Sequence, residues 1–157
     1  MDKAEWKQRG LHTGIALLAG AWPAMTGMAF ILSADAFLQA LIKPPFSLPS
    51  FILALGWAAT CLSMGASLFF ALEAGCRGRT LWGYALLGAM AALWPYAVLV
   101  RQALGGGWAL LLGLMLLVAW TARQAKARNK WCPWLLYPPM AYWSFLCVWN
   151  YAVFMMN

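Results

Sequence analysis

The chain has 157 residues, of which 64% are hydrophobic and 10% are charged, and its formal net charge is +7. Soluble globular domains are about half apolar and about a quarter charged, so this composition excludes that class. It also excludes a disordered chain, because so apolar a sequence cannot stay solvated. The composition indicates a small integral membrane protein of one compact unit, whose eleven tryptophans need an explanation.

Charged residues divide the sequence into five apolar stretches, each long enough for an α-helix to cross a hydrocarbon core of about 30 Å. These stretches are apolar on all sides and do not alternate, which predicts helices and not the strands of a barrel. We therefore predict an all-α integral membrane protein, a single domain over residues 1–157 with five transmembrane helices. The predicted spans, numbered first to fifth, lie near residues 12–33, 49–72, 80–100, 105–122 and 133–155.

The basic residues predict the orientation of this bundle. Nine of the eleven Lys and Arg residues fall in the N-terminal segment and in the loops after the second and fourth spans, whereas only Lys43 and Arg101 fall on the opposite side. Such asymmetry is typical of cytoplasmic loops, so we expect the N-terminus in the cytoplasm. The positive charge then faces lipid headgroups, and nucleic-acid binding is not expected. The nine are Lys3, Lys7, Arg9, Arg77, Arg79, Arg123, Lys126, Arg128 and Lys130.

The sequence offers little for classical catalysis. All four acidic residues lie at ends or in loops, so the spans lack the ionisable groups that ion-coupled transporters and acid–base enzymes use. His12, at the start of the first span, is interpreted either as an interfacial residue or as a haem or metal ligand. The cysteines lack metal-site spacing and are expected to be apolar fillers, and Gly105 to Gly107 are expected to form a turn. We predict no catalytic residue and no metal site.

Several large aromatic side chains can share one layer of the predicted bundle, in the half that opens towards the 34–48 loop. Counting about 1.5 Å per residue from the side of the 34–48 loop places Trp57 and Trp94 about 10–12 Å deep, and the pair Tyr142 and Trp143 about 21 Å deep. These side chains form either a packed core or the wall of a ligand pocket. The remaining span-end tryptophans are assigned mainly to the interfacial belt. They are Trp82, Trp108, Trp120, Trp131, Trp134 and Trp149.

The prolines predict where the helices of the bundle are interrupted or kinked. The segment Lys43–Pro49 cannot continue a helix and could form a lid over the aromatic layer. Pro23, Pro95 and the pair Pro138–Pro139 lie within spans, where proline kinks a helix and releases carbonyl groups.

Several ordered motifs resemble the TspO family, the tryptophan-rich sensory proteins and mitochondrial translocator proteins. Residues 21–27, Ala-Trp-Pro-Ala-Met-Thr-Gly, are similar to the family's Gly-Ala-Pro-Ala-x-Thr-Gly, and residues 37–44 fit Trp-Tyr-x-x-Leu-x-Lys-Pro with Phe37 in place of Trp. Leu93–Trp94 falls on the Leu-Trp of the third helix. The run from Leu135 to Tyr151 is similar to the family's last helix.

The resemblance implies a five-helix bundle, usually dimeric, that binds porphyrins, sterols and benzodiazepine-type ligands beneath the first loop. It implies protoporphyrin or haem as a ligand and no covalently attached cofactor. Ligand contacts are expected at Thr26, Trp57, Cys61, Ala91, Trp94, Pro138, Tyr142 and Leu146, and lid positions at Phe37, Leu41, Lys43, Pro44 and Phe46. Two departures are Ala91 for Asn and Tyr142 for Trp. No Lys or Arg follows Tyr151 at residues 152–155, which argues against sterol binding.

Three functions are consistent with these observations. The leading hypothesis is a membrane receptor or carrier for planar hydrophobic ligands, most of all porphyrins. The alternatives are a photo-oxidative enzyme that degrades porphyrins and a structural membrane subunit without a ligand. Small residues spaced four apart in the third span, Gly88 with Ala92 and Ala85 with Ala89, suit either a homodimer contact or packing within the bundle.

Overall fold

The computed structural model describes residues 3–157, with side chains from Glu5 onward, and the charges of Asp2 and Lys3 lie outside the described residues. Within that range the chain is helical and contains no strand. A π-helical turn, Tyr96–Val100, extends the fourth of six α-helices. The helices are α1 (Lys3–Ser33), α2 (Asp35–Ala40), α3 (Ser50–Glu73), α4 (Arg79–Pro95), α5 (Leu104–Lys126) and α6 (Trp131–Met156).

Four helical segments are long and apolar enough to cross a membrane, and they coincide with the first four predicted spans. The first helix begins well before the predicted residue 12, because Lys7 and Arg9 are good helix formers and their charge does not end a helix. The protein is therefore a multi-pass helical membrane protein. The four segments are Glu5–Ser33, Ser50–Glu73, Arg79–Val100 and Leu104–Lys126.

The predicted count of five helices is not confirmed, because the structure has six and only four meet both criteria for a span. The additional helix, α2, lies inside the predicted 34–48 loop. Its sequence, Asp-Ala-Phe-Leu-Gln-Ala, forms a helix readily and ends before the prolines at 44 and 45. Helix α6 has 26 residues and suffices in length, but its Trp, Tyr and Pro residues lower its mean hydropathy below that required of a span.

The five long helices form a closed ring. Helix α1 packs most extensively against α3, α3 against α6, α6 against α5, α5 against α4, and α4 against α1. Helix α6 thus lies between α3 and α5 and closes the ring. Its inward face carries Trp143, Leu146, Asn150 and Val153, which are all buried. A continuous apolar core fills the centre.

Glycines set the distance between α1 and α3. A Cβ placed on Gly65 would lie 2.7 Å from the carbonyl oxygen of Ala16 and 2.9 Å from the Cα of Gly20. Both obstacles are backbone atoms, so the two helices touch backbone to backbone at this crossing.

Near this end of the bundle, the buried Ser67 hydroxyl donates to the carbonyl of Cys132 at 2.8 Å and lies 2.6 Å from the Tyr84 hydroxyl, which joins α3, α4 and α6.

The connection from α4 to α5 differs from the prediction. Gly105 to Gly107 belong to the first turns of α5 and not to a loop, because the chain reverses earlier, where Gln102 adopts a φ of 53°. Gly107 is required inside the helix since a Cβ there would lie 2.1 Å from Cγ2 of Val98. Val98 belongs to the π-helical turn that directly follows Pro95, so the predicted irregularity at this proline is present.

Candidate functional site

Three tryptophans meet at the centre of the ring. The rings of Trp57 and Trp94 stack with centroids 5.0 Å apart at an interplanar angle of 21°. Trp143 lies against Trp57 at 6.2 Å. All three are buried, and together they form what we call the tryptophan cluster. Depth counting along the sequence placed these residues in the same part of the bundle, and the structure brings them into contact.

Two glycines leave room for the aromatic rings. A Cβ on Gly27 would lie 2.1 Å from Nε1 of Trp57, so the indole rests directly on α1 and donates a hydrogen bond to the carbonyl of Pro23 at 3.2 Å. A Cβ on Gly56 would lie 2.5 Å from the ring of Tyr142. The Tyr142 hydroxyl donates to the carbonyl of Leu53 at 2.6 Å, which fixes this ring between α3 and α6.

Two adjacent spaces lie between the tryptophan cluster and the segment after α2. The outer space, the vestibule, has a volume of about 150 Å³ and includes Asp35, Lys43 and Ser50 in its lining. The inner cavity has a volume of about 10 Å³, and Trp94, Tyr142 and Leu146 are among its lining residues. Leu38, Leu53 and Trp149 line both spaces and therefore separate them.

The segment 41–49, which we call the lid, is held over the vestibule by hydrogen bonds to α6 and to the residue after it. The indole of Trp149 donates to the Ser47 hydroxyl at 2.8 Å. The amide of Asn157 bonds twice to the backbone of Ile42: its Oδ1 accepts from the Ile42 N–H, and its Nδ2 donates to the Ile42 carbonyl, both at 3.0 Å. Asp35 further ties α2 to the start of α3 through Ser50.

The pairing of Asn157 with Ile42 predicts a change in lid dynamics. In Asn157→Ala both hydrogen bonds to Ile42 are removed, so the Ile42 amide should exchange with solvent deuterium about fivefold faster, as expected when protection falls by about 1 kcal/mol. Hydrogen–deuterium exchange measured by mass spectrometry on peptides covering 41–49 checks this. Asn129→Ala is the matched control, because Asn129 caps the backbone of Trp131 at the other end of α6. Equal exchange in the two variants would contradict the role of Asn157.

The structure separates the predicted ligand residues into two groups. Trp94, Tyr142 and Leu146 line the inner cavity, whereas Trp57, Cys61 and Ala91 are buried in the core and are not among its lining residues. The half-buried Thr26 donates its hydroxyl to the carbonyl of Trp22 within its own helix. Of the proline pair, Pro138 is exposed and does not line the inner cavity, whereas Pro139 is buried. Adjacent helix positions point about 100° apart, so only one of the pair faces inward.

The predicted lid residues also differ in position. Pro44 is buried, Phe37 and Leu41 are half-buried, and Lys43 and Phe46 are exposed. The ring of Phe46 contacts that of Phe145 edge to face at 6.5 Å, so an aromatic side chain of the lid rests on α6. Lys43 lines the vestibule and forms no ion pair among the residues that the structure describes.

One tryptophan assigned to the interfacial belt is instead part of the site. Trp149 is buried beneath the lid, whereas Trp82, Trp120, Trp131 and Trp134 are exposed as expected for a belt. The half-buried Trp108 lies against the ring of Tyr151 at 5.4 Å. The sequence carries a partial signal for the inward face of α6. Trp143, Leu146 and Asn150 are separated by three, four and seven residues, and residues at these spacings lie on one face of a helix.

Two side chains of the cluster and one other buried side chain have polar atoms without a hydrogen-bond partner among the described residues. They are the indole nitrogens of Trp94 and Trp143 and both amide atoms of Asn150. Asn150 was not among the residues predicted for the site. Unpaired buried polar groups are rare in proteins, and they often mark functional positions.

The opposite end of the bundle carries a polar cluster. His12 Nδ1 lies 2.8 Å from Glu73 Oε1, and Arg9 Nε lies 3.5 Å from Glu73 Oε2. His12 is therefore paired with a carboxylate, and the described residues contain no group of three or more side chains arranged to hold a metal ion.

The four cysteines are buried free thiols. In the 74–78 loop, burial raises the pKa of the Cys76 thiol, and the nearby Arg128 opposes that rise.

The fold and this site define a class: a multi-pass helical membrane protein with an aromatic interior beneath a proline-rich lid. The family model of the TspO/MBR family matches residues 13–156. The chain therefore belongs to the TspO/MBR family. A comparison with curated proteins finds no match.

Proposed function

We propose that the protein is a membrane receptor or carrier that binds a porphyrin between the lid and the tryptophan cluster. Membership of the TspO/MBR family supports a receptor or carrier role in general. The observation that carries the porphyrin proposal is the stacked pair of Trp57 and Trp94 directly behind the inner cavity. A flat macrocycle gains most from aromatic walls and apolar surroundings. Sterols are not proposed as ligands, because residues 152–155 lack a basic residue after Tyr151.

Binding requires the lid to move. Pockets for ligands of drug size have volumes of about 300–1,000 Å³, which neither the vestibule nor the inner cavity reaches. Leu38, Leu53 and Trp149 stand between the two spaces, and Trp149 is tied to the lid through Ser47. Opening the lid releases Trp149 and joins the spaces. Lys43, at the vestibule, then faces the carboxylates of an entering porphyrin.

A titration of tryptophan fluorescence with protoporphyrin in detergent tests this function. We expect saturable quenching in the wild type and about tenfold weaker binding in Trp94→Ala, since the variant lacks an aromatic interaction worth about 1 kcal/mol or more. Lys43→Met, an exposed substitution, should weaken binding up to about fivefold because it removes an attractive charge.

Arg101→Met is the matched control for the lysine, because Arg101 is exposed and does not line the vestibule. Trp82→Ala is the control for Trp94, because Trp82 is an exposed tryptophan of the same helix. The absence of saturable quenching in the wild type would contradict the proposal. So would equal affinities in all four variants.

The small inner cavity favours a second candidate, a structural membrane subunit without a ligand. A volume of about 10 Å³ leaves the interior essentially filled in the structure. The wild-type titration separates this candidate from the first. Photo-oxidative degradation of porphyrin remains the enzymatic alternative, and an unchanged porphyrin spectrum under illumination in the presence of the protein would contradict it.

We also propose that α6 is a fifth span, with the N-terminus on the cytoplasmic side. At about 1.5 Å per residue its 26 residues reach about 39 Å, and it contains no charged residue. The excess of basic residues at one end of the ring supports the orientation.

A homodimer through α4 is supported by its small residues, since a Cβ on Gly88 would meet no atom within 4 Å and the neighbouring Ala85 and Ala89 are exposed.

A further inference from the structure

Two hydrogen-bond donors without a partner converge on Gly107. A Cβ built on this glycine would lie 3.4 Å from Nε1 of Trp94 and 3.5 Å from Nδ2 of Asn150. Trp94 is 3% exposed and Asn150 is 0% exposed, and neither the indole nitrogen nor the amide atoms of Asn150 has a hydrogen-bond partner. Trp94 of α4 and Asn150 of α6 thus bring unpaired polar atoms to one point beside Gly107 of α5.

These unpaired groups carry a cost in stability. A buried donor or acceptor that makes no hydrogen bond is destabilising, because it has given up its contacts with water and gained none in return. A leucine at position 150 would have nearly the same shape without that penalty. Trp94 and Leu146 line the inner cavity, and Asn150 lies one helical turn beyond Leu146. One unpaired nitrogen therefore belongs to a residue that lines this cavity, and the other unpaired donor belongs to the same helix as a second lining residue, Leu146.

We propose that Trp94 and Asn150 form a polar subsite that binds a carbonyl-type oxygen of the ligand by donating hydrogen bonds to it. The inference rests on the proposed function, because it assigns a chemical feature to the ligand of the same interior. The indole N–H and one amide N–H would both donate to a single oxygen atom. A neutral oxygen suits this place better than a carboxylate, because no charged residue is buried among the described residues and an unpaired ion would be expensive there.

Val98 determines access to the subsite. Its Cγ2 would lie 2.1 Å from a Cβ on Gly107, so in the structure this methyl group rests on the glycine. Val98 belongs to the π-helical turn Tyr96–Val100, which continues directly from Trp94 and Pro95. Such turns occur often at functional sites, where the wider backbone spacing tolerates rearrangement. A ligand oxygen enters when Val98 moves away from Gly107.

Two porphyrins with the same ring test the subsite by fluorescence quenching. Protoporphyrin dimethyl ester has neutral carbonyl oxygens, and etioporphyrin has no oxygen. We expect the wild type to bind the ester about tenfold more tightly, a ratio that corresponds to about one good hydrogen bond. In Asn150→Leu and in Trp94→Phe, which retains an aromatic ring, the ratio should fall towards one. Trp82→Phe is the control and should leave the ratio unchanged.

A second measurement needs no ligand. Thermal unfolding in detergent should occur at a higher temperature in Asn150→Leu than in the wild type, because the variant removes an unpaired buried amide. A lower melting temperature would show that the amide has partners within the protein and would overturn the inference. Equal affinities of the wild type for the two porphyrins, or an unchanged ratio in both variants, would overturn the inference and leave the proposed function intact. Failure of the wild type to bind either porphyrin would overturn both.

Discussion

Replacement of Gly65 by alanine should destabilise the bundle by about 3 kcal/mol, at the upper end of the usual cost of adding one carbon to a filled interior. The added Cβ would lie 2.7 Å from the carbonyl oxygen of Ala16 and 2.9 Å from the Cα of Gly20. Backbone atoms cannot rotate away as a flexible side chain does, so α1 and α3 must separate. The packing between α1 and α3 is the most extensive between any two helices of the protein, so its disruption should affect the whole bundle.

Thermal unfolding in detergent, followed by circular dichroism, measures this effect. Gly14→Ala is the matched control, because Gly14 lies in α1 and a Cβ there would meet no atom within 4 Å. In the control, alanine brings only its better helix propensity, and stability should stay equal or rise slightly. Equal melting temperatures for the two variants would show that α1 and α3 do not touch backbone to backbone at this crossing.

The second large effect is expected for Trp57→Ala. The variant removes a fully buried indole that stacks on Trp94, packs against Trp143 and donates a hydrogen bond to Pro23. Removal of a large buried side chain leaves a cavity and typically costs about 3–5 kcal/mol. We therefore expect a strongly reduced melting temperature and a lower yield of folded protein.

Trp22→Ala provides the comparison. Trp22 lies in the motif of α1 that resembles the TspO family, yet it is 69% exposed. Its removal should change the free energy of unfolding by no more than about 0.5 kcal/mol. A similar destabilisation in both variants would contradict the central position of Trp57 and would mean that the two tryptophans have equivalent surroundings.

The positions of the helices could largely be predicted, because charged residues lie at the ends of apolar stretches. The second predicted span at 49–72 corresponds to α3 at Ser50–Glu73, and the third at 80–100 corresponds to α4 with its π-helical turn. Helix α2 was missed, because a six-residue helix has no periodic pattern long enough to distinguish it from a loop. Its end was predictable from the prolines that follow.

The sequence predicts how deep the site residues lie in the bundle, but it predicts only in part which way their side chains point. Counting residues along a span gives the depth of a side chain, and this brought Trp57 and Trp94 to the same layer. It does not show which way the side chain points, so Trp149 was assigned to the interface although it is buried beneath the lid. The unpaired atoms of Asn150 could not be foreseen, because hydrogen-bond partners depend on all the helices that surround a residue.

The ring order has a consequence for how the protein is made. Helix α6 leaves the ribosome after the other five helices, yet its place is between α3 and α5. Without it, the other four long helices form an open arc. As the fifth span proposed above, α6 would join α3 and α5 after both are already in the membrane. The buried tryptophans and the Asn150 amide of α6 would then pack against protein and not against lipid, which lowers the free-energy cost of placing them in the membrane.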